Sequence, residues 1–111
     1  MNIPASVMMS VLNMSQGNPG TMNCLMGMIA GDIMNSVAAL TILPKLEACE
    51  IKGGDIYILW SDLANKDYQL MAHLCKEVPN DILADACSRQ DYSGRKMIEK
   101  YAATFNPLDH M

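Results

Sequence analysis

Three short segments of this chain carry residue types that could hold a ligand. The first is Asp91-Tyr92-Ser93-Gly94-Arg95-Lys96, where a hydroxyl, a glycine and two cations stand at the start of a helix. Cations there oppose the helix dipole unless an anion joins them, so the cluster fits a phosphate or carboxylate. It also fits a plain capped helix with solvated cations and an Arg95–Glu99 pair one turn apart. The second segment is Ser15-Gln16-Gly17-Asn18-Pro19-Gly20-Thr21. Its glycines permit positive φ and its proline stiffens the turn, so backbone N–H groups near Asn18 and Gly20 can face an anion. The same punctuation marks an ordinary helix–helix turn. The G-x-x-x-x-G-K-[ST] pattern is missing, which excludes a P-loop ATPase. The third segment is Tyr57-Ile58-Leu59-Trp60-Ser61-Asp62. Trp60, the one tryptophan, is either a core anchor or, with Tyr57, a platform on which a base stacks.

No catalytic set emerges from the remaining polar residues. There is no H-E-x-x-H, no paired-carboxylate motif and no Ser–His–acid pattern in a recognisable context. Asp62 or Asp67 could act as a lone base, which leaves a small hydrolase as an alternative. Cys24, Cys49, Cys75 and Cys87 contain no C-x-x-C pair, so no zinc knuckle or thioredoxin-like motif is visible. They read as reduced thiols in a cytoplasmic protein, three of them core-like. His73 and Cys75 stand two apart and do not share a helix face, so no metal site is expected there. No cofactor is implied.

These segments must be positioned by helices. The chain has 111 residues, enough for one domain. Only 18% are charged, against about 25% in a typical soluble domain. Up to Pro44 the sole charged side chain is Asp32, and eight of the eleven methionines lie between Met1 and Met34. We therefore expect residues 1–44 to supply core and a homo-oligomer interface, with 45–111 the more solvated part of the same domain. The net charge of −4 argues against non-specific nucleic-acid binding, which needs a basic face.

Caps and breakers predict an all-α, compact single-domain bundle of about five to seven short helices. Val7, Met8, Val11 and Leu12 recur at helical spacing in the first. Gly17 to Gly20 breaks it, and Thr21 can cap the second. Gly31 ends that one, and Asp32 caps a third carrying Ile33, Val37, Leu40 and Thr41. Pro44 should stop or kink it. Lys52-Gly53-Gly54 is the mid-chain break, with Asp55 capping the next helix. Asp67 caps another, with Leu70, Met71, Leu74 and Cys75 inward. Pro79-Asn80-Asp81 opens a short helix. Ser93-Gly94 precedes the last, with Met97, Ile98, Tyr101 and Phe105 inward. The apolar run from Met22 to Leu43 is long enough to span a membrane, but Gly31-Asp32 interrupts it. A mid-span Asp would cost about 2.5–3.5 kcal/mol, so two buried helices are expected instead.

Three of these features together carry a resemblance. They are the S-x-G-N-P-G start (Ser15 to Gly20), the central G-x-x-I-Y-x-L from Gly53 to Leu59 running on to Trp60-Ser61-Asp62, and the later Ser93-Gly94-Arg95. They resemble a family of small uncharacterised tailed-phage proteins, whose members carry E-G-N-P-G-A, G-x-x-I-W-x-L-Y-K-D and D-N-R-G. The likeness covers most of residues 15–98. Here Y-K-D stands as Trp60-Ser61-Asp62, and D-N-R-G as Asp91-Tyr92-Ser93-Gly94. The resemblance implies a phage accessory protein in the host cytoplasm. With the missing catalytic set, it leads to a non-enzymatic protein that binds a small anionic ligand, in its sharpest form sequestering a nucleotide signal of host defence. Arg95, Lys96 and the backbone near Gly94 would hold phosphate, and Tyr57, Trp60 or Tyr92 would stack a base. The alternative is a module that inhibits a host protein through its Met-rich face.

Overall fold

Three helix starts in this chain are fixed by short side chains that accept backbone N–H bonds. The computed structural model describes residues 5–88 and 92–110. Its helices are α1 (Ala5–Ser15), α2 (Pro19–Ala30), α3 (Ile33–Ala48), α4 (Gly54–Tyr57), α5 (Tyr68–Glu77), α6 (Asn80–Cys87) and α7 (Tyr92–Ala102). A π-helical turn, Ile58–Leu63, continues α4, and a 3-10 turn, Pro107–His110, follows α7. No strand occurs among the described residues. The chain is thus an all-α single-domain bundle, as its caps predict.

Asp32 accepts from Asn35 N at 2.9 Å to open α3, and Asp67 accepts from Gln69 N and Leu70 N to open α5. For α2 the cap is Asn18, which accepts from Thr21 N at 2.9 Å, with Pro19 in the first helical position. Thr21 is therefore not the cap. Its hydroxyl is buried and donates to Gly53 O at 2.7 Å. Asp55 is not a cap either: α4 begins at Gly54, and Gly53 precedes it without a side-chain bond. Ser93 and Gly94 lie within the first turn of α7, not ahead of it.

Pro44 neither stops nor breaks α3. A proline leaves the carbonyl four residues back without its helical donor. That carbonyl belongs to Leu40, and both residues are exposed, so water can take the vacant position. The helix ends instead in a Schellman motif. Glu50, at φ 57°, lets its own N–H reach Glu47 O and the N–H of Ile51 reach Leu46 O.

The core lies where α3 packs on α2 and, most extensively, on α5. Leu25, Met28, Ile42, Leu46, Met71 and Leu74 are fully buried there. Ile56 and Leu59 seal one end, and Leu83 and Ile98 join α6 and α7 to it. Several residues expected inside lie outside. Leu12 on α1, Ile33, Val37 and Leu40 on α3 and Met97 on α7 are exposed. On α3 the buried side is Ala38, Ala39, Ile42 and Leu46. Apolar residues occur on both faces of this helix, and α2 and α5 cover the one with the small alanines.

Gly53 joins three elements. Its N–H donates to Met14 O of α1 at 2.8 Å, and its carbonyl accepts from Thr21 of α2 and from Ile56 N of α4. Its φ of 58° and ψ of −138° suit glycine alone, and a Cβ there would lie 3.0 Å from Gln16 Oε1. We expect Gly53→Ala to lower unfolding free energy by about 1–3 kcal/mol in urea titration. Thr21→Val should lower it by only about 1 kcal/mol, because the carbonyl keeps its bond from Ile56.

Candidate functional site

The aromatic segment folds against glycines of α2. A Cβ on Gly20 would lie 2.7 Å from the Tyr57 ring, and one on Gly27 would lie 2.6 Å from Tyr68 Oη. These glycines, one heptad apart, form a groove that admits both rings. Trp60 stands between them, edge-on to Tyr57 at 6.0 Å and stacked on Tyr68 at 5.7 Å. Tyr68 donates to Cys24 O at 2.9 Å. The π-helical turn sets this arrangement: Ala64 N bonds Leu59 O and Lys66 N bonds Trp60 O, so the extra residue re-aims the end of the helix. Asn65 and Lys66 then turn the chain at φ 53° and 60°. Trp60 is half-buried, and its indole N–H is buried without a hydrogen-bond partner. Both ring neighbours are supplied by this chain.

The cationic segment lies elsewhere. Arg95 sits in a groove with Asp62, Leu63, Ile98, Glu99 and Ala102. Its Nε is buried and unpartnered. Lys96 is exposed and Gly94 is buried. Among the described residues two carboxylates flank one cation in that groove, so an incoming anion meets net negative charge from them. Asn18 is used as the α2 cap, and Gly20 is in contact with Tyr57. Gly20, Tyr57 and Trp60 are thus brought together, while Arg95 opens into a different groove whose described lining residues include no aromatic ring. The side chains of Tyr92 and Ser93, and Asp91 altogether, lie outside the described residues.

Among the remaining reactive groups, Asp67 and His73 have structural tasks. Asp67 is held by its cap bonds, and Asp62 is exposed beside Arg95. His73 Nε2 lies 3.1 Å from Tyr101 O and 2.9 Å from Thr104 Oγ1. Thr104 gives its own hydrogen to Tyr101 O, so the imidazole is the donor. This ties α5 to the end of α7. No cluster of three His, Cys, Asp or Glu side chains suits a metal among the described residues. Cys24, Cys75 and Cys87 are buried and Cys49 is half-buried, all four as free thiols. Burial pushes the Cys24 and Cys75 thiols up to about 12, and Cys87 higher still. These thiols are neutral and poor nucleophiles.

A further surface feature, within the 1–44 part that composition marked as core or interface, is on α3. Ile33, Val37 and Leu40 are 81%, 57% and 77% exposed. With Pro44 they follow intervals of four, three and four residues, the spacing of a coiled-coil seam. Beside it, α1 and α3 bound a groove of about 200 Å³ lined by Val7, Val11, Met14, Ile29, Leu43 and Pro44, with Ser10 and Glu47 at its polar edge. Met9 and Leu12 add exposed apolar surface on α1. Helical spacing alone marks this stripe on α3, and the competing Ala38–Ile42–Leu46 stripe shows which side the core takes.

No protein family, no curated protein and no solved structure matches the chain. No helix among the described residues is long and apolar enough to cross a membrane.

The buried acids set an alkaline limit. Tyr68 is pushed up to about 12 by burial, as are Cys24 and Cys75 from an ordinary 9.0. Folding holds these groups neutral, while the unfolded chain ionises them near their ordinary values. Their contribution to stability is therefore complete below about pH 8.5 and declines as pH rises toward 12. The urea midpoint should be flat from about pH 7 to 8.5 and fall beyond about pH 9.5. A disulfide reagent should label Cys49 in the native protein and the other three cysteines only after denaturation.

Proposed function

We propose that this chain is a non-enzymatic accessory protein that acts by binding another polypeptide through the apolar surface of α1 and α3. The observation that carries this reading is the exposed seam on α3, three large aliphatic side chains at heptad spacing on a helix whose opposite face is already packed. Side chains of this kind, concentrated on one helix of a small domain, mark an interaction surface more than a catalytic one. The methionines of α1 and α2 make the neighbouring surface adaptable. Under the resemblance to small tailed-phage proteins, the setting is the host cytoplasm and the role is to act on or assemble with proteins there.

Capture of an anionic nucleotide has less support. It needs a base platform and a cation in one site, whereas Trp60 is already stacked on Tyr68 and Arg95 shares its groove with Asp62 and Glu99.

A photo-crosslinking amino acid placed at Leu40 in the expressed protein should give a discrete polypeptide adduct. The same group at Lys100, an exposed position on α7, should give none. Equal, diffuse labelling from both positions would defeat the reading.

A further inference from the structure

Resting on that reading, we propose that the occupant of the α3 seam is the α3 helix of a second copy of this chain, so that the protein is a two-fold dimer. The shape of the surface calls for a helix. Ile33, Val37, Leu40 and Pro44 lie in a narrow line along a helix of 16 residues, and such a line is complementary to another helix's line, not to a strand or a broad pocket.

Charge selects which helix. The chain carries a net charge of −4, so two copies repel through most of their surfaces. Every Lys and Arg lies beyond Pro44, and before it Asp32 is the only charged side chain. Along the seam from Ile33 to Pro44, two copies meet without opposing one charge to another. A surface without charge has no means of choosing an oppositely charged partner, and it is complementary to itself. An identical line on each copy is the requirement of an isologous contact.

The available area fits a reversible dimer. An exposed large aliphatic side chain offers on the order of 100 Å² of apolar surface. Ile33, Val37 and Leu40 supply about 300 Å² on this estimate, and the exposed parts of Met34, Thr41 and Pro44 add to it. A standard interface buries about 800 Å² per partner. The seam therefore falls below that size, and the dimer should form and dissociate with concentration.

Sedimentation velocity of the purified chain from about 1 to 200 µM should show a shift from one copy to twice the 12.2 kDa chain mass. Leu40→Lys and Leu40→Glu should each weaken self-association by about tenfold or more. At about 1 µM, where the wild type is one copy, both should keep its circular dichroism and melting transition, since Leu40 is exposed. An equimolar mixture of the two variants should recover the dimer, because one seam then carries the lysine and the other the glutamate. A chain that stays monomeric at about 200 µM overturns the proposal. So does a dimer that both variants leave intact, which would place the contact on another face. If the wild type is monomeric while the Leu40 crosslinker captures a different polypeptide, the partner assignment fails and the binding-surface reading stands. If it captures nothing, both fail.

Discussion

The constraint on which the structure depends is that α3 is apolar on two sides. A helix in a small domain normally buries one stripe and solvates the other. Here Ala38, Ala39, Ile42 and Leu46 face α2 and α5, and Ile33, Val37 and Leu40 face away. The small alanines let neighbouring helices approach closely, which is why that side makes the core. The larger aliphatic side chains are left where nothing in the chain covers them. Pro44 belongs to the same logic. It is tolerated inside the helix because Leu40, whose carbonyl loses its helical donor, is exposed to water.

Around α3 the other helices are held by a few specific contacts more than by broad patterning. Gly53 links the end of α1, the start of α2 and the start of α4 through its N–H and its carbonyl, the α2 bond coming from the Thr21 hydroxyl. Gly20 and Gly27 make room for Tyr57 and Tyr68, and Trp60 closes the gap between those rings. The indole is therefore committed to packing, and the π-helical turn that carries it directs Asp62 and Leu63 toward α7 instead. This divergence separates the aromatic group from Arg95.

Helix existence was legible in the sequence wherever a cap or a breaker has a local cause. Asp32, Asp67 and the Gly53-Gly54 pair act within one turn of chain, and so does the turn at Gly17 to Gly20. The burial of three of the four thiols followed from their apolar neighbours. What was not legible is non-local. Both stripes of α3 have helical spacing, and only the positions of α2 and α5 decide which is inside. Thr21 could cap a helix by type, but Gly53 lies within reach of its hydroxyl only after the chain folds back 32 residues away. The π-helical turn leaves no residue-type signature in Ile58–Leu63. At the candidate site, Gly20 stood in one segment and Tyr57 and Trp60 in another, and only the fold shows that they are in contact.

The central claim is that the outer side of α3 is covered by a partner helix in solution. The most direct measurement is the relaxation of the Ile33, Val37 and Leu40 methyl groups by a soluble paramagnetic agent, followed by NMR as the protein is concentrated. Progressive protection of these methyls, with Leu108 remaining fully accessible, is the expected result. Methyls of Ile33, Val37 and Leu40 that stay as accessible as Leu108 at every concentration would contradict it.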